Sequence, residues 1–272
     1  MPLILLCGYP CSGKSTVASL LAGCLQTQRP DCQIEVVSEE SIAGVQPVAA
    51  AATATIDPRV AIYTDANLEK QFRAEIKSKA SGNPHLTHFS PLPSHTERAL
   101  TGKKPSNTVV IVDANNYIKG YRYELYCTAK SMRHQQAILH CTTGLDRCRE
   151  INAKAYSPTQ HLYFYLELPN LPEAEKAVLG RYPEAVFSEL VTRFERPNPS
   201  SRWDNPLYEL CLPEDLEQEE GSSQELRTLV DQLTARILGE LLSSGTKVRP
   251  NQSTVPAQSA GSNYLQVIPS AL

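Results

Sequence analysis

An α/β fold organised on a parallel sheet is what this sequence predicts, and two stretches carry the prediction. The chain opens on a short apolar run, Leu3-Ile4-Leu5-Leu6-Cys7, followed by Gly8-Tyr9-Pro10-Cys11-Ser12-Gly13-Lys14-Ser15 and then an apolar pattern of helical period. Strand, glycine-bearing loop and helix in that order make a phosphate-loop unit. The second stretch, Thr108-Val109-Val110-Ile111-Val112, ends on Asp113 and reads as a buried parallel strand that delivers a carboxylate to the C-terminal edge of the sheet. Together they predict a P-loop NTPase of the kinase-like, three-layer type over residues 1–244, with a flexible C-terminal tail over 245–272.

Composition sets the outer bounds. The 272 residues, 41% hydrophobic and 20% charged, suffice for one large domain and an appendage. A net charge of −3 with a pI near 6.1 gives no overall pull toward nucleic acid or a membrane surface, so a polyanion partner would need a local patch. Every apolar run is far shorter than the roughly 20 residues of a spanning helix, and no basic flank precedes the first strand. No membrane partner and no signal peptide are therefore expected. The eight cysteines (7, 11, 24, 32, 127, 141, 148, 211) contain no CxxC pair, which predicts reduced thiols in a cytoplasmic or nuclear protein rather than a disulfide frame or a zinc site. Cys11 alone stands inside an anion-binding loop, where a thiol would be open to oxidation.

The loop predicts its own chemistry. Glycines at its first and sixth positions let the backbone curl until successive N–H groups face phosphate oxygens, and the following helix N-terminus adds partial positive charge. Lys14 would reach the β and γ phosphates, and the Ser15 hydroxyl would ligate Mg²⁺. The nucleotide-binding candidates are Gly8, Tyr9, Pro10, Cys11, Ser12, Gly13, Lys14, Ser15 and Thr16. Asp113 joins Ser15 as the second metal candidate, because a P-loop enzyme needs an acid there to hold Mg²⁺ directly or through water.

In chain order, Val17, Leu20, Leu21, Cys24 and Leu25 mark one face of a helix stopped by Arg29-Pro30-Asp31. Ile34 to Ser38 is a second strand, with Glu39 and Glu40 at its C-terminal end facing the same crevice; either orients an attacking group, or both belong to a solvated capping cluster. Residues 43–58 form a low-complexity, alanine-rich surface insertion. Leu68, Phe72 and Ile76 mark a helix from Asp65, and residues 81–95 form a loop whose His85, His88 and His95 lack metal-site spacing. Beyond Asp113, residues 115–127 interleave four tyrosines with Lys119 and Arg122. These would either stack a base and neutralise phosphates or half-pack on a helix with hydroxyls outward. Residues 136–141 are a fourth strand, and Arg147, Arg149 and Lys154 follow in a helical stretch of the kind that closes as a lid in nucleotide kinases. Weak helical patterns cover Val178-Leu179 and Val186 to Val191. Trp203 anchors the polar turn around it or belongs to a base pocket, and the anchor is favoured. Pro206 to Cys211 is the last strand. After an acidic link (214–220), the capping box Ser222-Ser223-Gln224-Glu225 opens a helix carrying Leu226, Leu229, Val230, Leu233, Ile237, Leu238, Leu241 and Leu242.

These residues also resemble a known family. Gly8 to Ser15, Asp113, Asn116 to Cys127, Arg202-Trp203-Asp204 with Pro206-Leu207, and Pro250 to Thr254 match in type and order the Elongator-associated P-loop ATPases, founded on yeast killer-toxin-insensitivity proteins and related to the kinase of seryl-tRNA on the selenocysteine pathway. The resemblance implies a tRNA-stimulated ATPase that binds ATP and Mg²⁺ and cooperates with the Elongator complex in modifying wobble uridines of tRNA, in cytoplasm and nucleus. Lys14, Asp113, Glu39 and Arg149 are the catalytic candidates, Arg149 as a lid cation. Two rivals remain: a phosphotransferase acting on a tRNA-borne or small-molecule hydroxyl, with Glu39 as base, and a non-hydrolysing ATP-binding adaptor. The chain is expected to stop at Leu272 before the family's helical C-terminal domain, which would weaken tRNA binding, and the 43–58 insertion departs from the family pattern.

Overall fold

The computed structural model describes residues 2–39, 58–81, 107–153, 182–213 and 220–243. Five strands, β1 (Leu3–Gly8), β2 (Gln33–Ser38), β3 (Thr108–Asp113), β4 (Gln136–Cys141) and β5 (Leu207–Leu210), form one sheet in the order β2-β3-β1-β4-β5. All four pairings are parallel. The helices are α1 (Lys14–Gln28), α2 (Pro58–Thr64), α3 (Ala66–Ser81), α4 (Lys119–Ser131), α5 (Leu145–Ala153), α6 (Glu184–Thr192) and α7 (Glu220–Ser243).

The strand sequences dictate the layers. β1, β3 and β4 are buried along their whole length, which is why they read as continuous apolar runs and not as alternations. Successive side chains still point to opposite faces. Ile4, Leu6, Ile111 and Leu139 meet Val17, Leu21 and Leu25 of α1 and Leu226, Val230, Leu233, Ile237 and Leu241 of α7. Leu3, Leu5, Val110, Val112 and Ile138 meet Phe72 and Ile76 of α3 and Tyr121 and Leu125 of α4. Each large aliphatic so buried contributes roughly 1.5–3 kcal/mol, and α1 and α7 together cover the face that carries Ile4 and Leu6. A third cluster joins Tyr63, Tyr117, Cys148, Tyr182, Val186, Phe187 and Leu190, with Tyr9 and Cys11 packed against it.

Three local predictions are corrected. α2 was not foreseen; it opens on Pro58, a residue suited to a first helical position. Asp65 does cap the next helix, its Oδ1 accepting from Asn67 N at 2.7 Å and Leu68 N at 3.2 Å, but Leu68 is 43% exposed whereas Glu69 is 2% exposed. The reason is two arginines that meet the Glu69 carboxylate and turn it inward. α7 begins at Glu220, so Ser222 lies inside the helix and not at its cap. The readings for Glu40, most of the alanine-rich insertion, the three histidines, Lys154, Val178-Leu179, the acidic link and the tail lie outside the described residues. All eight cysteines are free thiols, and among the described residues no helix is long and apolar enough to cross a membrane.

Candidate nucleotide site

β1 is the central strand, and its last residue opens the loop. Gly8 has φ +153°, and a Cβ there would stand 2.6 Å from Ser12 Oγ and 2.7 Å from the Cys141 carbonyl. Gly13 has φ +86°, and a Cβ there would fall 2.2 Å from Leu212 Cδ1. Both glycines are thus required, by conformation and by space. Cys11 also adopts a left-handed φ of +59°, a conformation that side chains other than glycine rarely adopt and that concentrates at ligand clamps. Inside the loop, Ser12 N donates to the Tyr9 carbonyl at 3.2 Å, and Thr143 Oγ1 donates to the Ser12 carbonyl at 3.0 Å.

The loop runs into α1 with Gly13 as N-cap and no side-chain cap bond. The first N–H groups of a helix have no intrahelical acceptor, so those of Lys14, Ser15 and Thr16 form the start of an anion cradle. Lys14 folds back over the loop: Nζ donates to Tyr9 O at 2.7 Å and to Gly8 O at 3.3 Å. Ser12 Oγ is buried with no hydrogen-bond partner, a polar atom of the sort that a ligand satisfies. Pro10 is buried, and Ser15 and Thr16 are half-buried in the first turn of α1. These features fit a bound polyphosphate.

Asp113 ends β3 beside Ser38, its register partner. Its charge and that of Lys14 both act on the thiol of Cys141, which pairs with Gly8 at the end of β4. Burial pushes that thiol up to about 12, Lys14 acting against the rise and Asp113 with it. β1 and β3 are neighbouring parallel strands, so the loop after Gly8 and Asp113 both stand at the C-terminal edge of the sheet, where open α/β sheets bind ligands. A carboxylate and a hydroxyl beside a phosphate cradle are oxygen donors of the type Mg²⁺ takes.

Glu39 also reaches this edge and is 6% exposed. Its Oε1 accepts from Tyr63 Oη and from Asn115 N, both at 2.5 Å. Burial, followed by the Glu39 charge, raises the Tyr63 phenol well above its ordinary pKa. Glu39 is thus built into the wall between β2 and the segment after β3. Arg149 stands exposed on α5, 3.8 Å from Asp146 Oδ1, while Asn152 of the same helix meets Cys11 of the loop. Helical phase is the reason, because the inward face of α5 belongs to Cys148 and Asn152.

The tyrosine-rich stretch divides between core and surface. The Tyr117 hydroxyl donates to Glu69, and the Tyr121 hydroxyl donates to the Arg73 carbonyl at 3.0 Å; both point inward, contrary to either reading of the sequence. Arg122, which one of the two sequence readings set against phosphate, is 0% exposed and pairs with Asp204, itself 1% exposed. Nε donates to Oδ1 at 2.8 Å and Nη2 to Oδ2 at 3.4 Å, while Nη1 donates to the carbonyls of Asn116 and Tyr117. Tyr123 packs edge-on against Trp203 at 5.3 Å. The Trp203 carbonyl accepts from Gln136, the first residue of β4, on the edge of the sheet opposite the loop. The anchor role is therefore the one the geometry supports.

Sequence reasoning missed Thr143, Asn152 and Leu212. Asn152 accepts from Cys11 Sγ at 3.5 Å and from Tyr182 N at 2.8 Å, and donates to Tyr182 O at 2.9 Å. Single polar residues outside the motif leave no periodic or spacing signal. Among the described residues no group of three His, Cys, Asp or Glu could hold a metal ion.

Comparison with known proteins follows the same line. The family profile described as chromatin associated protein KTI12 matches residues 1–85 and 91–272. A KTI12 homolog of Oryza sativa subsp. indica is 29% identical over 262 residues, covering 96% of this chain and 67% of the relative. Protein kti12 of Schizosaccharomyces pombe is 29% identical over 274 residues, covering 97% of this chain and 71% of the relative. Among solved structures, Chaetomium thermophilum Kti12 in complex with ADP-AlF3 is similar with a TM-score of 0.49 at 25% identity, covering 84% of this chain and 97% of that one.

Proposed function

The chain belongs to the chromatin associated protein KTI12 family, and from that premise we propose that it binds Mg·ATP and hydrolyses it, stimulated by tRNA, as a regulatory partner of Elongator in tRNA wobble-uridine modification. Cytoplasm and nucleus are the compartments that go with this role. The observation that carries the reading is a glycine-built loop with Ser12 Oγ buried without a partner among the described residues, at the sheet edge where the neighbouring strands β1 and β3 end on Gly8 and Asp113.

In this reading the loop N–H groups and the N-terminus of α1 bind the phosphates, and Lys14 leaves the Tyr9 and Gly8 carbonyls for the terminal phosphate oxygens. Its charge then stabilises the negative charge that spreads over those oxygens in the transition state. Ser15 and Asp113 would hold Mg²⁺, which when bound neutralises charge shared by the β and γ phosphates. The walls formed by Tyr63, Asn115 and Glu39 orient the acceptor side. Glu39 already accepts two hydrogen bonds on one oxygen, which suits a positioning wall better than a base for a hydroxyl substrate and favours water as acceptor. A lid role for Arg149 requires α5 to move it toward the loop.

The test is phosphate release from ATP by this 272-residue chain, with and without bulk tRNA, with Mg²⁺ and with EDTA. Magnesium-dependent release that rises with tRNA is expected. Absence of both turnover and ATP binding would overturn the reading, and label appearing on a hydroxyl instead of in free phosphate would replace it with a transferase.

A further inference from the structure

We infer that Phe194 is a positioning residue for the nucleotide loop: it holds the ring of Tyr9, so that the Tyr9 carbonyl stays where it receives Ser12 N and keeps the loop curled. The functional consequence rests on the nucleotide reading above; the structural link does not.

Phe194 follows α6 and is partly buried where two of the core clusters meet. Its ring lies 4.7 Å from that of Tyr9 at 48° and 5.9 Å from the imidazole of His140 at 24°. The three rings form a stack running from β4 to the loop. His140 is fixed on its far side by Glu209 Oε1, 3.3 Å from Nδ1.

The residues flanking Phe194 are fixed independently. Arg193 Nη2 donates to Glu69 Oε2 at 2.8 Å, and its guanidinium lies 5.0 Å over the Tyr117 ring. Glu195 N donates to the Tyr117 carbonyl at 3.0 Å, and Glu195 Oε2 accepts from Lys119 N at 2.6 Å. That bond caps α4, whose own N-cap, Ile118, makes no side-chain cap bond. Phe194 is therefore held from both sides and does not follow Tyr9; Tyr9 must follow Phe194.

At the receiving end, the Tyr9 carbonyl accepts both Lys14 Nζ at 2.7 Å and Ser12 N at 3.2 Å. The lysine leaves this carbonyl when phosphate binds, but the Ser12 N bond belongs to the curl of the loop, and a shift of Tyr9 disturbs it. Fixing a loop in its bound shape lowers the ordering cost of binding, so releasing Tyr9 weakens the affinity for triphosphate while the sheet is untouched.

Hydrogen exchange of the full chain without nucleotide, read by mass spectrometry, tests the link. Phe194→Ala is expected to accelerate exchange across residues 8–16 and to leave residues 137–141 at the wild-type rate. Affinity for a fluorescent ATP analogue should fall about 3- to 10-fold, and Phe194→Tyr should restore both readouts. Phe194→Leu, which keeps apolar volume without a ring face, carries the same test should the alanine variant unfold. Because Phe194 acts through Tyr9, Tyr9→Ala should add no further loosening in the Phe194→Ala background. Unchanged exchange at 8–16, or fully additive effects, overturns the inference. If wild type binds no ATP and yet Phe194→Ala loosens the loop reversibly, the link stands and the nucleotide reading falls.

Discussion

The nucleotide loop and the Arg122–Asp204 junction are both built from residues quoted in the family signature, yet they treat polar groups in opposite ways. In the loop, a serine hydroxyl is buried without a partner and a lysine bonds only to backbone carbonyls of its own loop. At the junction, the guanidinium meets both carboxylate oxygens and two carbonyls, and Asp204 Oδ2 also accepts from Asn198 N at 3.0 Å. A saturated ion pair is architecture, whereas the unpartnered Ser12 Oγ points to a ligand because it stands inside the loop; Trp203 Nε1, beside Asp204, is buried without a partner too. Positive charge in a motif therefore does not by itself mean phosphate: Lys14 and Arg122 are separated by what surrounds them.

The largest effect that bears on this contrast is loss of the junction. Arg122→Ala leaves a buried carboxylate unpaired and should cost about 3–5 kcal/mol in urea unfolding. The double variant Arg122→Met, Asp204→Leu should cost clearly less, because it removes the uncompensated charge. A wild-type stability for Arg122→Ala would erase the distinction between the two regions. Next, Lys14→Ala should lower ATP turnover about 10²- to 10³-fold with an unchanged melting temperature, since the lysine's hydrogen bonds go to carbonyls of its own loop. A parallel loss of fold would move Lys14 to the architectural side.

A smaller effect sharpens the picture of the loop itself. Gly13→Ala meets both the φ of +86° and the Leu212 side chain and should cost about 1–3 kcal/mol. Adding Leu212→Ala should recover only part of that cost, because space is restored and backbone strain is not. Thermal melts of the three variants separate the two causes.

The smallest effect concerns pH and lies outside both regions. Burial lowers His134 to about 4 and, more mildly, lowers His140. The unfolded chain then binds protons that the folded chain refuses, so stability falls as pH drops from about 6.5 toward 4. His134→Gln should flatten unfolding free energy over about pH 5–6.5, and an unchanged slope there would assign the window to His140. Below that window Glu209, held low first by Arg196 and then by His140, pushes in the same direction as it protonates.

The sequence by itself determined the sheet and the glycine-bearing loop between β1 and α1. Continuous apolar runs ending at Gly8 and Asp113 define buried parallel strands because helices cover both faces of the sheet, and the glycine spacing that curls the loop is local. The face of α1 and the apolar stripe of α7 were legible for the same reason: helical period is written in consecutive residues. Only the tertiary structure decided which charged and aromatic residues face a ligand. Arg122 turned inward because Asp204 arrives beneath it, Glu69 because Arg73 and Arg193 meet it, and Phe194 reached Tyr9 because α6 returns to the loop. Such partners lie far apart in the chain, and the energy that sets a side chain's direction comes from what it meets and not from its neighbours in sequence.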